Sequence, residues 1–433
     1  MNKILFLLLI FLLITNCSFN KNSKFWTSQS DLEEERTDNF KKILVEDQAV
    51  NKELNANIKL NFNPNLTKNN LTYDLRNNTK FNYDGTLTKS SRYKFKKIKN
   101  FHKYEPNISF FKENVIFFDN KGTIFQFDDN LKLIWKKNYY TKNEKKQNPI
   151  LQFTNDNKYL VIADNIAKLY IIDLNTGELI WTKNNIAPFN SQIKIYNDKF
   201  FIIDLTNTLR CFSLKDGKEL WTLKTEDTLI KSQKKLSMVI LDEKIYFNNS
   251  IGDISAVNVN TGDLLWQLST QSSLIYESAF SLETSEIVSD GENLFFSNNK
   301  NQFFAIDIKS GSFNWENKIN SNLRPKLIGD IILSISLEGY LIVIDKKNGN
   351  IIRTTDIFKN FKPKKRDKIK PSGFVVGLDK IYLSTNNGRL LVIDISSGKT
   401  IKTLKIDNEK ISRPYVSNQS LFIIKDNAII RLN

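Results

Sequence analysis

Histidine occurs once in the 433 residues, as His102, and cysteine twice, as Cys17 and Cys211. A single imidazole argues against a His-dependent catalytic triad and against a structural zinc site built on His and Cys. Two cysteines do not frame a disulfide scaffold, and Cys211, inside LRCFSL, reads as a small buried residue. Long apolar runs are equally scarce. The longest, residues 4–14, is far shorter than the ~20 residues that span a bilayer, and nothing after it is apolar for long enough. Arginine is scarce too, so the formal net charge of +16 comes from lysines scattered among Asn and Ile. A nucleic-acid reader concentrates Arg and aromatics on one element, and no such element is found.

What is present begins with MNKILFLLLIFLLITNCSFN, a short Lys-bearing start, an apolar run and then Cys17. This order is that of a signal peptide. LITNC resembles the lipobox of bacterial lipoproteins, which implies a signal peptide over 1–17 and lipidation of Cys17. Ser18, in place of the Asp that retains lipoproteins at the inner membrane of enteric bacteria, implies the outer membrane.

Residues 18–90 are polar and poor in aromatics, with DLEEERTD at 31–38 and NFNPNLTKNN at 61–70, and read as a mostly disordered tether. Within it, residues 31–54 carry a weak amphipathic helix pattern through Leu32, Phe40, Ile43 and Leu44. From 91 to 433 the texture changes to short β-rich runs between Asn, Asp and Gly turns.

Those runs repeat. FQFDDNLKLIW, YIIDLNTGELIW, RCFSLKDGKELW, SAVNVNTGDLLW and FAIDIKSGSFNW end on Trp135, Trp181, Trp221, Trp266 and Trp315, and two further copies place Arg353 and Lys402 at the same position. Successive marker positions are 46, 40, 45, 49, 38 and 49 residues apart by subtraction. That period fits one four-stranded propeller blade and is too long for a leucine-rich repeat. The Asp-to-Gly stretch is then a tight turn between third and fourth strands, and the Trp fills the wedge between neighbouring blades. The C-terminal tail supplies three strands, PYVS, SLFIIKD and AIIRLN. An eighth blade would therefore lack its outer strand, and SRYKFKKIKN, residues 91–100, alternates as a strand that would complete it. The fold expected is all-β, an eight-bladed propeller of antiparallel blades closed by an N-terminal strand.

The repeats resemble those of PQQ-like, quinoprotein-type β-propellers, whose motif is roughly A-x-D-x-x-T-G-x-x-x-W; AVNVNTGDLLW and AIDIKSGSFNW come close, with Ala256 and Ala305 first. With the lipoprotein start and eight blades, the chain is most similar to the BamB family of outer-membrane β-barrel assembly lipoproteins. That resemblance implies a noncatalytic periplasmic scaffold, anchored to the outer membrane, which binds the POTRA domains of BamA and has no catalytic residue, cofactor or metal.

Two other classes compete. A PQQ-dependent dehydrogenase would resemble this chain in its repeats but carry calcium, a catalytic Asp and often a vicinal Cys pair, and no Cys-Cys occurs here. Asp173, Asp307, Asp345 and Asp394 read as turn caps instead. A cell-surface ligand-binding propeller is the third class. For a scaffold, specificity lies in irregular loops. The longer connections, at 138–149, 225–235, 270–280 and 357–371, follow outer strands and so emerge on one face. On them Leu229, Ile230, Leu274, Ile275, Tyr276, Lys364, Lys365 and Arg366 are the candidate partner-binding residues.

Overall fold

The computed structural model describes residues 49–60, 75–78, 83–99, 101, 106–226, 232, 234–271 and 281–433. The proposed signal peptide with Cys17, together with His102, Leu229, Ile230, Leu274, Ile275 and Tyr276, lies outside these residues. No helix among the described residues is long and apolar enough to cross a membrane.

Eight four-stranded antiparallel sheets form a β-propeller. Blade 2 is representative: Leu151–Asn155, Tyr159–Asp164, Lys168–Asp173 and Leu179–Asn184, in that order from the axis outwards. The second and third strands are buried on both faces because each sheet is covered by a blade on either side, so they read as near-continuous apolar runs such as YLVIAD and KLYIID. The outer strand is exposed throughout except at the half-buried Trp181.

The eighth blade joins the two ends of the described ring. Its three inner strands are Tyr415–Ser417, Ser420–Lys425 and Ala428–Leu432, and the fourth is Lys89–Lys94. The closing strand thus begins and ends earlier than the 91–100 read from the sequence. Its register pairs Tyr93 with Ile429 and Lys94 with Ala428.

The repeated turn and Trp have one joint purpose. Asp173 accepts hydrogen bonds from the amides of Asn175 and Thr176, both at 2.9 Å, and Gly177 closes the turn with φ of 70°. The indole N–H of each Trp donates to the carbonyl that follows the turn's first residue in the next blade. Trp181 reaches Leu214 at 3.0 Å, Trp221 reaches Val259, Trp266 reaches Ile308 and Trp315 reaches Lys346, each at 3.1 Å, and Trp135 reaches Leu174 at 3.3 Å. The ring then covers the turn glycine; a Cβ on Gly311 would lie 2.6 Å from the indole of Trp266. Glycine is needed here both for the left-handed backbone and for the room the indole takes.

A bulge precedes every one of these wedge positions. Ile171 pairs with Trp181 but Ile172 pairs with Leu179, so Ile180 is the extra residue, and the same slip recurs in blades 1 and 3 to 7. A bulge increases local twist and re-aims the next side chain. It turns the Trp toward the neighbouring blade and leaves Ile134, Ile180, Leu220, Leu265 and Ile401 exposed.

The two repeats without Trp are explained by what lies beside them. Lys402 faces blade 8, whose outer strand comes from the other end of the chain, so no turn is there to receive an indole. Tyr83 fills that wedge, buried against Tyr382 with ring centroids 5.0 Å apart. Arg353 is fully buried and donates to Ile395 O at 3.0 Å, the equivalent of the Trp acceptors, while also reaching Ser396 O and, at 3.0 Å, Ile58 O. An indole has one N–H; the guanidinium serves three carbonyls.

Ile58 belongs to the stretch read as a tether, and here the structure differs from that reading in three pieces. Leu54 bridges Thr354 on the outer edge of blade 6 in both directions, at 3.1 and 2.9 Å, and Leu60 N donates to Ser396 O at 3.1 Å. Residues 49–54 are therefore extended, not helical, because an open strand edge offers them backbone partners. Residues 75–78 and 83–88 also pack on the ring, with Asn77 and Tyr83 buried.

Candidate functional site

Antiparallel order places the blade-to-blade connections and the second-to-third turns on one face of the ring and the short Asp-to-Gly turns on the other. The connection from blade 1 to blade 2 carries a helix, Lys142–Lys146, capped reciprocally by Thr141 and Glu144, and Lys168 ties Glu144 back to the blade at 3.0 Å. Beneath it Tyr140 donates to Asp164 at 2.5 Å, and Asp164 also accepts the amides of Ile166 and Lys168.

Burial pushes the Asp164 carboxyl up to about 6, although these hydrogen bonds pull it the other way. A folded pKa above the unfolded ~3.9 means that stability is greatest below about pH 4 and is lost as pH rises to about 6, a difference of roughly 3 kcal/mol. Urea titrations should therefore show the wild type gaining stability between pH 7 and 4.5 relative to Asp164→Asn. A constant gap between the two proteins across that range would refute this assignment.

The connection from blade 6 to blade 7 holds the basic candidates on a short helix, Pro363–Arg366. Lys364 and Lys365 are exposed. Arg366 is held within its own blade, paired with Asp356 at 2.5 Å and placed over the Tyr340 ring. Its charge is already engaged. The five repeat Trp residues lie between blades, as structural residues.

One exposed residue escaped the sequence reading. Ile186, in the connection from blade 2 to blade 3, is 96% exposed. The loop around it is held firmly: Asn185 donates to Ala187 O at 2.8 Å and to Asp204, and Ala187 and Phe189 are buried on either side of Pro188. An Ile that follows two Asn and precedes Ala-Pro-Phe carries no periodic signal, so only the fold reveals that it projects.

On the same face the channel axis is filled by side chains that come just before the innermost strands. Glu286 of blade 5 pairs with Arg324 of blade 6 and, at 2.7 Å, with Arg413 of blade 8, and accepts from Gln192 of blade 3 at 2.8 Å. Only the axis is common to these four blades. Asn77 reaches the same place from the N-terminal stretch, donating to Met238 O at 3.1 Å and Ile287 O at 2.9 Å and accepting from Lys194 at 2.7 Å. Among the described residues, no group of three or more His, Cys, Asp or Glu side chains is placed to hold a metal ion.

A family model described as outer membrane protein assembly factor BamB matches residues 120–355, more than half of the chain. The chain belongs to the BamB family. A BamB of Yersinia pestis is 19% identical over 266 residues, a match spanning 55% of this chain and 62% of that protein, just under two thirds of its length. The crystal structure of BamB from Moraxella catarrhalis superposes with a TM-score of 0.64 at 15% identity, covering 80% of this chain and all of that one. A quinohemoprotein alcohol dehydrogenase from Pseudomonas putida shares the fold as well, with a TM-score of 0.60 at 11% identity over 83% of this chain and 78% of that one. At these identities the superpositions speak to the propeller alone; membership of the BamB family rests on the matched repeats.

Proposed function

We propose that the protein is a noncatalytic scaffold of the machinery that assembles β-barrels into the outer membrane. In this reading it is held on the periplasmic side by a lipid on Cys17, binds the POTRA domains of BamA and takes no cofactor or small-molecule substrate. Membership of the BamB family over 120–355 is the observation that carries it. The face bearing Ile186, Lys364 and Lys365 supports it further, because an apolar side chain held out on an ordered loop is a ready anchor for a partner.

The test is a pull-down of the tagged full chain from native outer membranes. BamA should co-purify with the wild type and fall at least tenfold with Ile186→Asp. An exposed substitution of this kind leaves stability within about 0.5 kcal/mol. Equal recovery by the variant would remove this face from the proposal. A bound quinone with alcohol-oxidising activity would overturn the scaffold reading and favour the dehydrogenases that share the fold.

A further inference from the structure

The outer strand of blade 6, Ile351–Asp356, is covered where its counterparts are open. In blades 1, 2 and 4 the two residues before the wedge position stand exposed, as in Leu179 and Ile180, whereas Ile351 and Ile352 in the same places are half-buried. The residue after the wedge position is exposed in blades 1 to 5 and 7, as at Thr182 and Gln267, whereas Thr354 is fully buried. The cover is the N-terminal segment, residues 49–60. Glu53 accepts the amide of Asp356 at 3.3 Å, Leu54 pairs with Thr354, Asn55 donates to Ile352 O at 3.0 Å, and Ile58 O takes the Arg353 guanidinium. Val50 packs on the core between blades 5 and 6, and Leu60 on that between blades 6 and 7.

The segment fits this edge imperfectly. Leu54 and Ile58 are 44% and 46% exposed, so between its two ends the segment buries little apolar surface. It also seals the Thr354 hydroxyl from water without pairing it: Thr354 Oγ1 has no hydrogen-bond partner among the described residues. A buried hydroxyl left unpaired is costly. Directly opposed residues of an antiparallel pair share one face of the sheet, so the residue facing Thr354 is the one placed to satisfy it, and a leucine has no polar group to offer. The segment stays because its covalent link to the ring keeps it at high effective concentration.

We propose that the outer edge of blade 6 is a docking groove for an extended segment of a partner protein, which displaces residues 49–60. Leu54 already demonstrates strand addition there, exchanging amide and carbonyl with Thr354 in both directions. The surface left by the segment specifies the occupant: an apolar residue at each end, where Val50 and Leu60 now sit, and Ser or Thr in place of Leu54, opposite Thr354. Arg353 adds what the Trp repeats lack, a second donor that reaches a backbone carbonyl outside the ring. The groove lies at blade 6 and Ile186 follows blade 2, so this surface and the scaffold reading stand or fall independently.

Fluorescence anisotropy with two labelled peptides of residues 49–60, one native and one carrying Leu54→Thr, tests this on the full chain. In a chain carrying Leu54→Pro the internal segment loses the amide that donates to Thr354 O, and the groove opens. Both peptides should bind that chain about tenfold tighter than the wild type, whose own segment competes in cis. The Leu54→Thr peptide should bind it about fivefold tighter than the native peptide, the fold-change of one neutral hydrogen bond. Adding Thr354→Val to the chain should erase the difference between the peptides. No binding to the Leu54→Pro chain, or equal binding to it and to the wild type, overturns the groove. Equal affinity of the two peptides overturns the partner segment and leaves the chain's own residues as the fitting occupant. Should Leu54→Pro fail to fold, Leu60→Asp releases the other end of the segment from its apolar contacts and supports the same comparison.

Discussion

Deleting residues 83–94 should lower the melting temperature by 10 °C or more, or abolish cooperative melting altogether. The deleted stretch supplies the whole outer strand of blade 8, paired in register with Ala428–Leu432. It also supplies the exchange between Thr88 and Asn433, at 3.2 and 3.0 Å, and the buried Tyr83 that fills the wedge between blades 7 and 8. Tyr93 adds a ring contact at 4.3 Å to Phe127 of blade 1. Each buried hydrogen bond contributes about 1 kcal/mol net, and loss of a core aromatic costs about 3–5 kcal/mol. Their sum is comparable to the 5–15 kcal/mol by which whole domains are stable.

The deletion also uncovers the edge of Ala428–Leu432, a row of unpaired backbone groups that invites association with other chains. Light scattering should therefore rise together with the loss of stability. Calorimetry and scattering on the truncated chain provide the check, and a melting curve identical to that of the full chain would falsify closure by this strand.

Arg353→Met should cost about 3–5 kcal/mol in urea unfolding, and Arg353→Trp less. Methionine preserves apolar bulk but leaves the carbonyls of Ile395 and Ile58 without their donor, and Ser396 O with Leu60 N alone. Replacing a buried charge with a hydrophobic residue can be neutral when its partners are replaced too. Here the partners are backbone carbonyls and remain. Tryptophan restores the indole N–H that the other repeats aim at this carbonyl, recovering the bond to Ile395 and losing those to Ile58 and Ser396. Gly398 lies under the Arg353 side chain as the other turn glycines lie under their Trp, a Cβ there falling 2.7 Å from Thr355 Oγ1 and 3.0 Å from the guanidinium. If Met and Trp were equally destabilising, the wedge would depend on volume alone and the hydrogen-bond rule would be wrong at this blade.

These two variants mark the limit of what repeats can show. Trp135, Trp181, Trp221, Trp266 and Trp315 were legible as wedge residues because each recurs with the same turn. Arg353 was legible only as an exception. Its reason is the N-terminal segment at Ile58, 295 residues away in the chain, which no periodicity reports. The candidate face was legible as a set of long connections, yet Ile186 stands in a short one, and Arg366, picked for its charge, is engaged by Asp356.

Strand, turn and closure were thus determined by local sequence: apolar alternation sets strands, Asp and Gly set the turns, and a missing fourth strand at one terminus required a spare one at the other. The bulge before each wedge residue, the docking of Asn77 and the cluster around Glu286 were decided only by the tertiary structure. The physical reason is the ring itself. It brings residues 77, 192, 286, 324 and 413 to one axis from five separate stretches of chain, and a pattern read along the backbone carries no record of which loops will meet across it.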